Sequence, residues 1–293
     1  MDTAARYLDL LKKSLLDELY IENEARLLYL VLCMLSGMPV REEAIRDIGK
    51  HHPDIVGRLR EAREEGAIAF NWTVRRPDGS SENVNLRNVM EFYHTMMGRK
   101  RLDNIQSLLA AIVADDVPGD LIETGVWRGG GTIFMRGYLA AYGITNRTVF
   151  VADSFQGLPV PTKPQDEGAD FSASVHPILS ISLEDVRELF RRYDLLDEQV
   201  RFLPGWFKDT LPAAPIDKLA LLRLDGDLYE STWDALEALY HKLSPGGFVI
   251  VDDYFDFKPC RTAIDEFRAK VGDTATLEKI DWASVYWRKA PAH

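Results

Sequence analysis

The segment 121-LIETGVWRGGGT-132 leads from strand-like residues into a turn with glycines at 125, 129, 130 and 131. A strand-to-helix turn of this kind is where open α/β sheets receive ligands, at the carboxyl ends of their strands. A phosphate-binding loop would need GxxxxGK followed by Ser or Thr, and GVWRGGGT has no lysine after its glycines. A dinucleotide site would need GxGxxG so that a pyrophosphate meets the helix N-terminus, whereas the spacing here is GxxxGGG. ATP and NAD chemistry are both disfavoured. What remains is a glycine turn with an acid at the end of its own strand, Glu123, and a second acid, Asp153, at the end of the next. Glycine backbone lets a ligand come close, Glu123 suits an ammonium and Asp153 suits ribose hydroxyls. A nucleoside carrying an amino acid fits that pair, and S-adenosylmethionine is such a ligand; a purely structural turn is the other reading.

These residues need a sheet to hold them. From residue 119 onward, short apolar runs alternate with helical patterns, the signature of parallel βαβ units. Strands are expected at 120–126, 148–154, 200–206, 219–225 and 248–254, followed by TLEKID and SVYWRKA. TIFMRGYLAAYG, LEDVRELFRRY, LYESTWDALEALYHKLS and CRTAIDEFRAKVG carry apolar residues at three-to-four spacing and supply the covering helices. The last two strands have no helix between them, which predicts an antiparallel hairpin at the end of the sheet. The stretch between Ser154 and Leu183 is rich in Pro, Asp, Gly and Ser, and a loop that long reads as a lid or binding loop. The first ninety residues differ: helical patterns at 5–20, 24–36, 41–49 and 53–66 lead to AIAFNWTV, a PDGS turn and ENVNL, an order like that of a winged helix.

Composition narrows the partners. The 293 residues carry a formal net charge of −11, which disfavours nucleic acid or an anionic membrane as the main partner. Residues 38–90 hold nine basic and nine acidic side chains, so a DNA-binding wing is disfavoured and dimerisation or pocket building preferred. Cys33 and Cys260 have neither metal-ligand nor disulfide-framework spacing. The N-terminus carries charges throughout its apolar pattern, unlike a signal peptide or membrane span. A cytoplasmic protein acting on small molecules is expected.

Several motifs, in order along residues 90–290, point to one family: MMGRKRLDNIQ, VPGDLIETGVWRGGGTIFMRGYLAAYG, VFVADSFQGLP, VRFLPGWFKDTLP, LRLDGD and LSPGGFVIVDDY. The sequence resembles the macrocin O-methyltransferase (TylF-like) family, sugar O-methyltransferases of antibiotic biosynthesis, and within it the enzymes that methylate deoxysugar hydroxyls of macrolides and aminocoumarins. The likeness weakens over residues 25–88. It implies a class I S-adenosylmethionine-dependent methyltransferase fold at 91–293: a Rossmann-like, seven-stranded α/β sheet with its last strand antiparallel. Residues 1–90 would form a mainly helical cap or dimerisation region. It also implies donor contacts from Glu123, Gly125, Gly129, Asp153 and Ser154, from Thr95 and Met96 (with Met97) over the methionine end, and from Gly205, Trp206 and Phe207 around the adenine. For the methionines the alternative is core packing, and Trp127 and Arg128 suit either ligand contact or packing within the turn.

If the strands order as in that fold, Asp225, Asp227, Asp252 and Asp253 fall on neighbouring turns. Converging carboxylates with little positive charge nearby repel one another, which a divalent cation relieves, and oxygen-only ligands favour Mg²⁺. The resemblance assigns Asp225, Asp252 and Asp253 to the metal; the alternative is that DGD caps the next helix, Asp227 being well placed to do so, and that DD ends a strand. Asp225 or Asp227 would act as general base, with His176 in the long loop and His241 late in a helix as alternatives. The expected activity is Mg²⁺-dependent methylation of a (deoxy)sugar hydroxyl on a natural-product glycoside by a homo-oligomer, dimer or higher. A catechol-type phenolic O-methyltransferase and a non-catalytic S-adenosylmethionine-binding subunit are the alternatives.

Overall fold

A computed structural model describes residues 2–66, 71–85 and 93–290. The chain forms two compact units, one of Asp9–Lys100 and one of the residues up to Leu8 together with those from Arg101 onward. Of the sequence expectations, residues 67–70 of AIAFNWTV and Leu86 of ENVNL lie outside the described residues.

The first unit is mainly helical. α1 (Thr3–Leu15) enters it, and the helix expected over 5–20 stops early because Asp17 turns the chain into the left-handed region at φ 53°. α2 (Ile21–Ser36) then packs Ile21, Ala25, Leu28, Tyr29 and Cys33 against Ile55, Val56, Leu59 and Ala62 of α5 (Pro53–Glu65). The three-to-four spacing of both sets puts each on one helix face. Between them lie two short helices, α3 (Glu42–Arg46) and α4 (Ile48–His51), where the sequence suggested one. Gly37 and Gly66, at φ 69° and 71°, end α2 and α5 with left-handed caps. β1 (Asn71–Arg75) and β2 (Ser81–Asn85) pair antiparallel across the PDGS turn.

The second unit is built on a seven-stranded sheet in the order β5-β4-β3-β6-β7-β9-β8. Its strands are β3 (Asp120–Thr124), β4 (Val149–Asp153), β5 (Val200–Pro204), β6 (Leu219–Leu224), β7 (Leu243–Val251), β8 (Glu278–Lys279) and β9 (Val285–Arg288). β3 to β7 run parallel, and β9 pairs antiparallel with both β7 and β8. This is the class I methyltransferase sheet expected from the sequence. α6 (Arg99–Ala114), α7 (Gly130–Ala141), α8 (Leu183–Arg192), the short α9 (Phe207–Thr210), α10 (Tyr229–Leu239) and α11 (Lys258–Val271) connect or flank these strands. The central strands are apolar on both faces because helices cover both, and all six residues of β6, LALLRL, are buried.

Two strand boundaries differ from expectation and matter for the site. β7 begins five residues early, running through SPGG, because a register shift between Leu219 and Leu221 of β6 lets Leu243 pair with Leu219. β3 stops at Thr124, so Gly125 already belongs to the turn, at φ 89°. A Cβ at Gly125 would lie 1.7 Å from the carbonyl oxygen of Asp225, so only glycine lets β3 and β6 end side by side. Gly125→Ala is therefore expected to cost on the order of 4 kcal/mol or more, or to abolish soluble expression, as read by chemical denaturation.

Candidate active site

The glycine turn is fixed from below by carboxylates. Asp153, at the end of β4, accepts hydrogen bonds from the backbone N–H of Val126 (2.8 Å) and of Phe155 (2.7 Å), and its carbonyl accepts from Gly205 N–H (2.9 Å). One residue thus ties together the turns after β3, β4 and β5. Burial pushes its carboxyl up, and these backbone donors pull it back. Ser154 closes the next turn: its hydroxyl donates to Gly157 carbonyl (2.6 Å) and accepts from Gln156 N–H (2.9 Å). Gly129 starts α7 at φ 81°, its carbonyl accepting from Ile133 N–H and the Thr132 hydroxyl, both at 2.8 Å. Trp127 stands in the left-handed region at φ 48° and donates its indole N–H to Ile178 carbonyl (2.9 Å), in the long loop, while Arg128 lies over its ring.

Around the turn after β5, Gly205 holds φ 133° and the Trp206 carbonyl accepts from Asp209 and Thr210 N–H as α9 begins. Phe207 is half-buried beside Gly226, where a Cβ would lie 3.5 Å from the Phe207 ring. Thr95 and Met96 belong to the helical unit, where they line a small cavity with Arg63, Tyr93 and Met97. Thr95 Oγ1 accepts from Met97 N–H (3.2 Å) there.

Glu123 is only 2% exposed in its side chain and accepts from Arg223 Nη1 (2.5 Å), while its Oε2 has no hydrogen-bond partner. Burial raises its carboxyl to about 8, with Arg223 opposing. Arg223, the penultimate residue of β6, is the group that sequence reasoning missed. The same Nη1 donates to Asp225 Oδ2 (2.7 Å), and Nη2 donates to Asp252 Oδ1. Burial alone would lower this guanidinium, but Asp252, Asp225 and Glu123 outweigh it and hold it well above its ordinary value. An arginine inside the otherwise apolar LALLRL was the available signal, since a buried cation needs partners.

The four aspartates expected to converge divide into two groups. Asp225, Asp227 and Asp253 each present a carboxylate oxygen within 4.8 Å of the others. Asp252 points elsewhere: it pairs with Arg223 on one oxygen and with Arg101 of α6 on the other, and its carbonyl accepts from the Ser284 hydroxyl (2.6 Å). Arg101 also binds Asp281 (2.6 Å) in the turn before β9. Asp225 keeps 30% side-chain exposure. Asp227 stands at φ 55°, and Asp253 is buried with one oxygen lacking a partner. Burial first, and the neighbouring aspartates second, raise Asp225 to about 6 and push Asp227 and Asp253 well above the usual carboxylate range.

Asp227 does not cap α10. That role falls to Asp166 in the long loop, which is fully buried and accepts from Tyr229 N–H (2.6 Å) and Glu230 N–H (3.2 Å). His176 stacks on Phe171, ring centroids 5.2 Å apart, and Phe171 meets Phe257 edge-on. His241 is exposed in a short 3-10 turn after α10. Both cysteines are buried thiols.

The sequence matches the family model described as macrocin-O-methyltransferase (TylF) over residues 4–289. The chain belongs to the macrocin O-methyltransferase family. It is 57% identical over 199 residues to the demethyldecarbamoylnovobiocin O-methyltransferase of Streptomyces niveus, spanning 67% of this chain and 76% of that one. With the 8-demethyl-8-(2,3-dimethoxy-alpha-L-rhamnosyl)-tetracenomycin-C 4'-O-methyltransferase of Streptomyces olivaceus, identity is 54% over 202 residues, 68% and 77% of the two chains. The solved O-methyltransferase NovP superposes with a TM-score of 0.74 at 44% identity, covering 98% of this chain and 99% of that one. This member of the macrocin O-methyltransferase family is therefore an S-adenosylmethionine-dependent O-methyltransferase.

Two stability predictions follow from the charges. Asp252→Ala leaves two buried arginines short of a partner and is expected to cost about 3–5 kcal/mol by urea denaturation, whereas Asp227→Asn removes repulsion and costs nothing. The raised carboxyls of Asp225, Asp227 and Asp253 bind protons more tightly folded than unfolded, so their contribution is fully favourable below about pH 4 and is lost as pH rises. For the metal-free protein, this cluster should thus lower thermal stability from about pH 4 through 6 and beyond. Asp227→Asn should flatten that slope.

Proposed function

We propose that this protein transfers a methyl group from S-adenosylmethionine to a sugar hydroxyl of a natural-product glycoside, with Mg²⁺ bound at Asp225, Asp227 and Asp253. The observation that carries this reading is the convergence of those three carboxylates, with Asp253 Oδ2 lacking any partner. Such an arrangement is unfavourable alone and suits a hard divalent ion with oxygen ligands. A cation bound there would neutralise the cluster and make an adjacent hydroxyl more acidic. The residues of the chain do the rest. The turn Gly125–Gly129 admits the donor, with Glu123 beneath it, and Asp153 and Ser154 hold the neighbouring turn where a ribose would lie. Gly205, Trp206 and Phe207 flank the adenine. Asp227, through the carboxylate oxygen it would not give to the cation, takes the proton as the hydroxyl oxygen bonds to the methyl carbon and the carbon–sulfur bond breaks, its pair going to sulfur. Positioning of oxygen, carbon and sulfur in line supplies much of the rate.

The choice of a glycoside is supported by the relatives, one named for a novobiocin derivative and another for a tetracenomycin carrying a rhamnosyl group. Two buried, unpaired cysteines support a reducing cytoplasmic location. Methyl transfer should be measured on a panel of antibiotic glycosides and of catechols, with Mg²⁺ and with chelator. Turnover on a glycoside that requires the cation is expected, and Asp227→Asn should lower kcat by about 10²–10⁴ without loss of fold. Turnover confined to phenols, or undiminished by chelator, would contradict the proposal.

A further inference from the structure

We propose that Arg223 is a positioning residue serving two sites at once: its guanidinium holds Glu123 against the donor turn and Asp225 toward the cation-binding carboxylates. The inference rests on the metal-dependent reading above. Arg223 is 1% exposed, so no ligand reaches it directly from solvent. Its Nη1 donates at once to Glu123 Oε1 (2.5 Å) and to Asp225 Oδ2 (2.7 Å), and its Nη2 to Asp252. The acid it holds on one side lies directly under the glycine turn: a Cβ at Gly131 would fall 2.5 Å from Glu123 Oε1. The acid on the other side belongs to the Asp225, Asp227 and Asp253 group.

A guanidinium is a rigid plane with donors at fixed angles, so these partners cannot move independently. Asp252 fixes the plane further, because its second oxygen is held by Arg101, itself held by Asp281. Arg223 is therefore anchored on the side away from the reaction and presents one nitrogen to two functional acids. Lysine at this position would keep the charge but place its three donors on one tetrahedral nitrogen, which cannot span from Glu123 and Asp225 on one side to Asp252 on the other as the two nitrogens of the fork do. Glu123 is not among the cation-binding acids, and Arg223 is the side chain it shares with them. Replacing it by glutamine leaves Arg223 Nη1 a weaker acceptor on that side and turns the guanidinium more fully onto Asp225, which weakens cation binding.

The test is calorimetric titration of the full chain with S-adenosylmethionine alone and with Mg²⁺ alone, for the wild type, Arg223→Lys and Glu123→Gln. Folding is checked for each by circular dichroism and thermal melting. Arg223→Lys is expected to weaken Mg²⁺ binding about tenfold, the usual effect of losing an outer hydrogen bond to a metal ligand. It should also weaken S-adenosylmethionine binding about tenfold, the effect of losing a charged hydrogen bond. Glu123→Gln should weaken Mg²⁺ about threefold although it is no ligand. A folded Arg223→Lys that keeps either affinity would overturn the proposal. So would a Glu123→Gln protein with unchanged Mg²⁺ affinity, and that variant decides the matter alone if Arg223→Lys does not fold. If the wild type binds no Mg²⁺ at all, the metal-dependent reading fails and this inference with it; if both ligands bind and only the cross-effects are absent, this inference alone fails.

Discussion

A fully enclosed guanidinium among carboxylates is the constraint around which the site is arranged. Arg223 sits in the central strand of a sheet covered on both faces, where an uncompensated charge would cost several kcal/mol. It is compensated by Glu123, Asp225 and Asp252, which come from three adjacent strand ends. Arg101 and Asp281 extend the chain of alternating charges into α6 and the terminal hairpin. Positive charge is therefore concentrated on the structural side of the cluster. The open side keeps Asp225, Asp227 and Asp253 with an excess of negative charge. Arg223 meets that excess only in part, through one oxygen of Asp225, and the remainder is what a cation would relieve.

The same strand ends carry backbone strain. Trp127, Phe155 and Asp227 follow β3, β4 and β6, and each occupies the left-handed region without being glycine. Such conformations persist only where surrounding contacts over-determine them. Here the Asp153 carboxylate accepts from Val126 N–H beside Trp127 and from Phe155 N–H in its own turn, and Asp166 reaches from the long loop to cap α10 just after Asp227. The loop is thus part of the scaffold that presents the acids. Its aromatic side chains, Phe171 and His176, stack with one another, and Phe171 also meets Phe257.

Much of this was legible in the sequence, and the rest was not for identifiable reasons. The parallel strands announced themselves as continuous apolar runs, and GVWRGGGT disfavoured phosphate and dinucleotide ligands by what it lacked. Periodicity could not distinguish Asp252 from Asp253: adjacent residues at a strand end point apart, and which one meets an arginine depends on α6, far away in the chain. The cap from Asp166 was equally hidden, since it acts on a helix beginning at Tyr229 and no local pattern links the two. The arginine in LALLRL was visible all along. Its meaning required knowing which carboxylates the neighbouring strands would bring to it. The early start of β7 came from a register shift in its partner, which a single strand's composition does not encode.

The central claim is that arginine pairing sorts the four aspartates, taking Asp252 for structure and leaving the other three for a cation. The most direct test is the anomalous difference map of a crystal grown with Mn²⁺ in place of Mg²⁺. The account predicts one peak within coordination distance of Asp225, Asp227 and Asp253, with Asp252 still bound to Arg101 and Arg223. A peak ligated by Asp252, or no peak at saturating Mn²⁺, would contradict it.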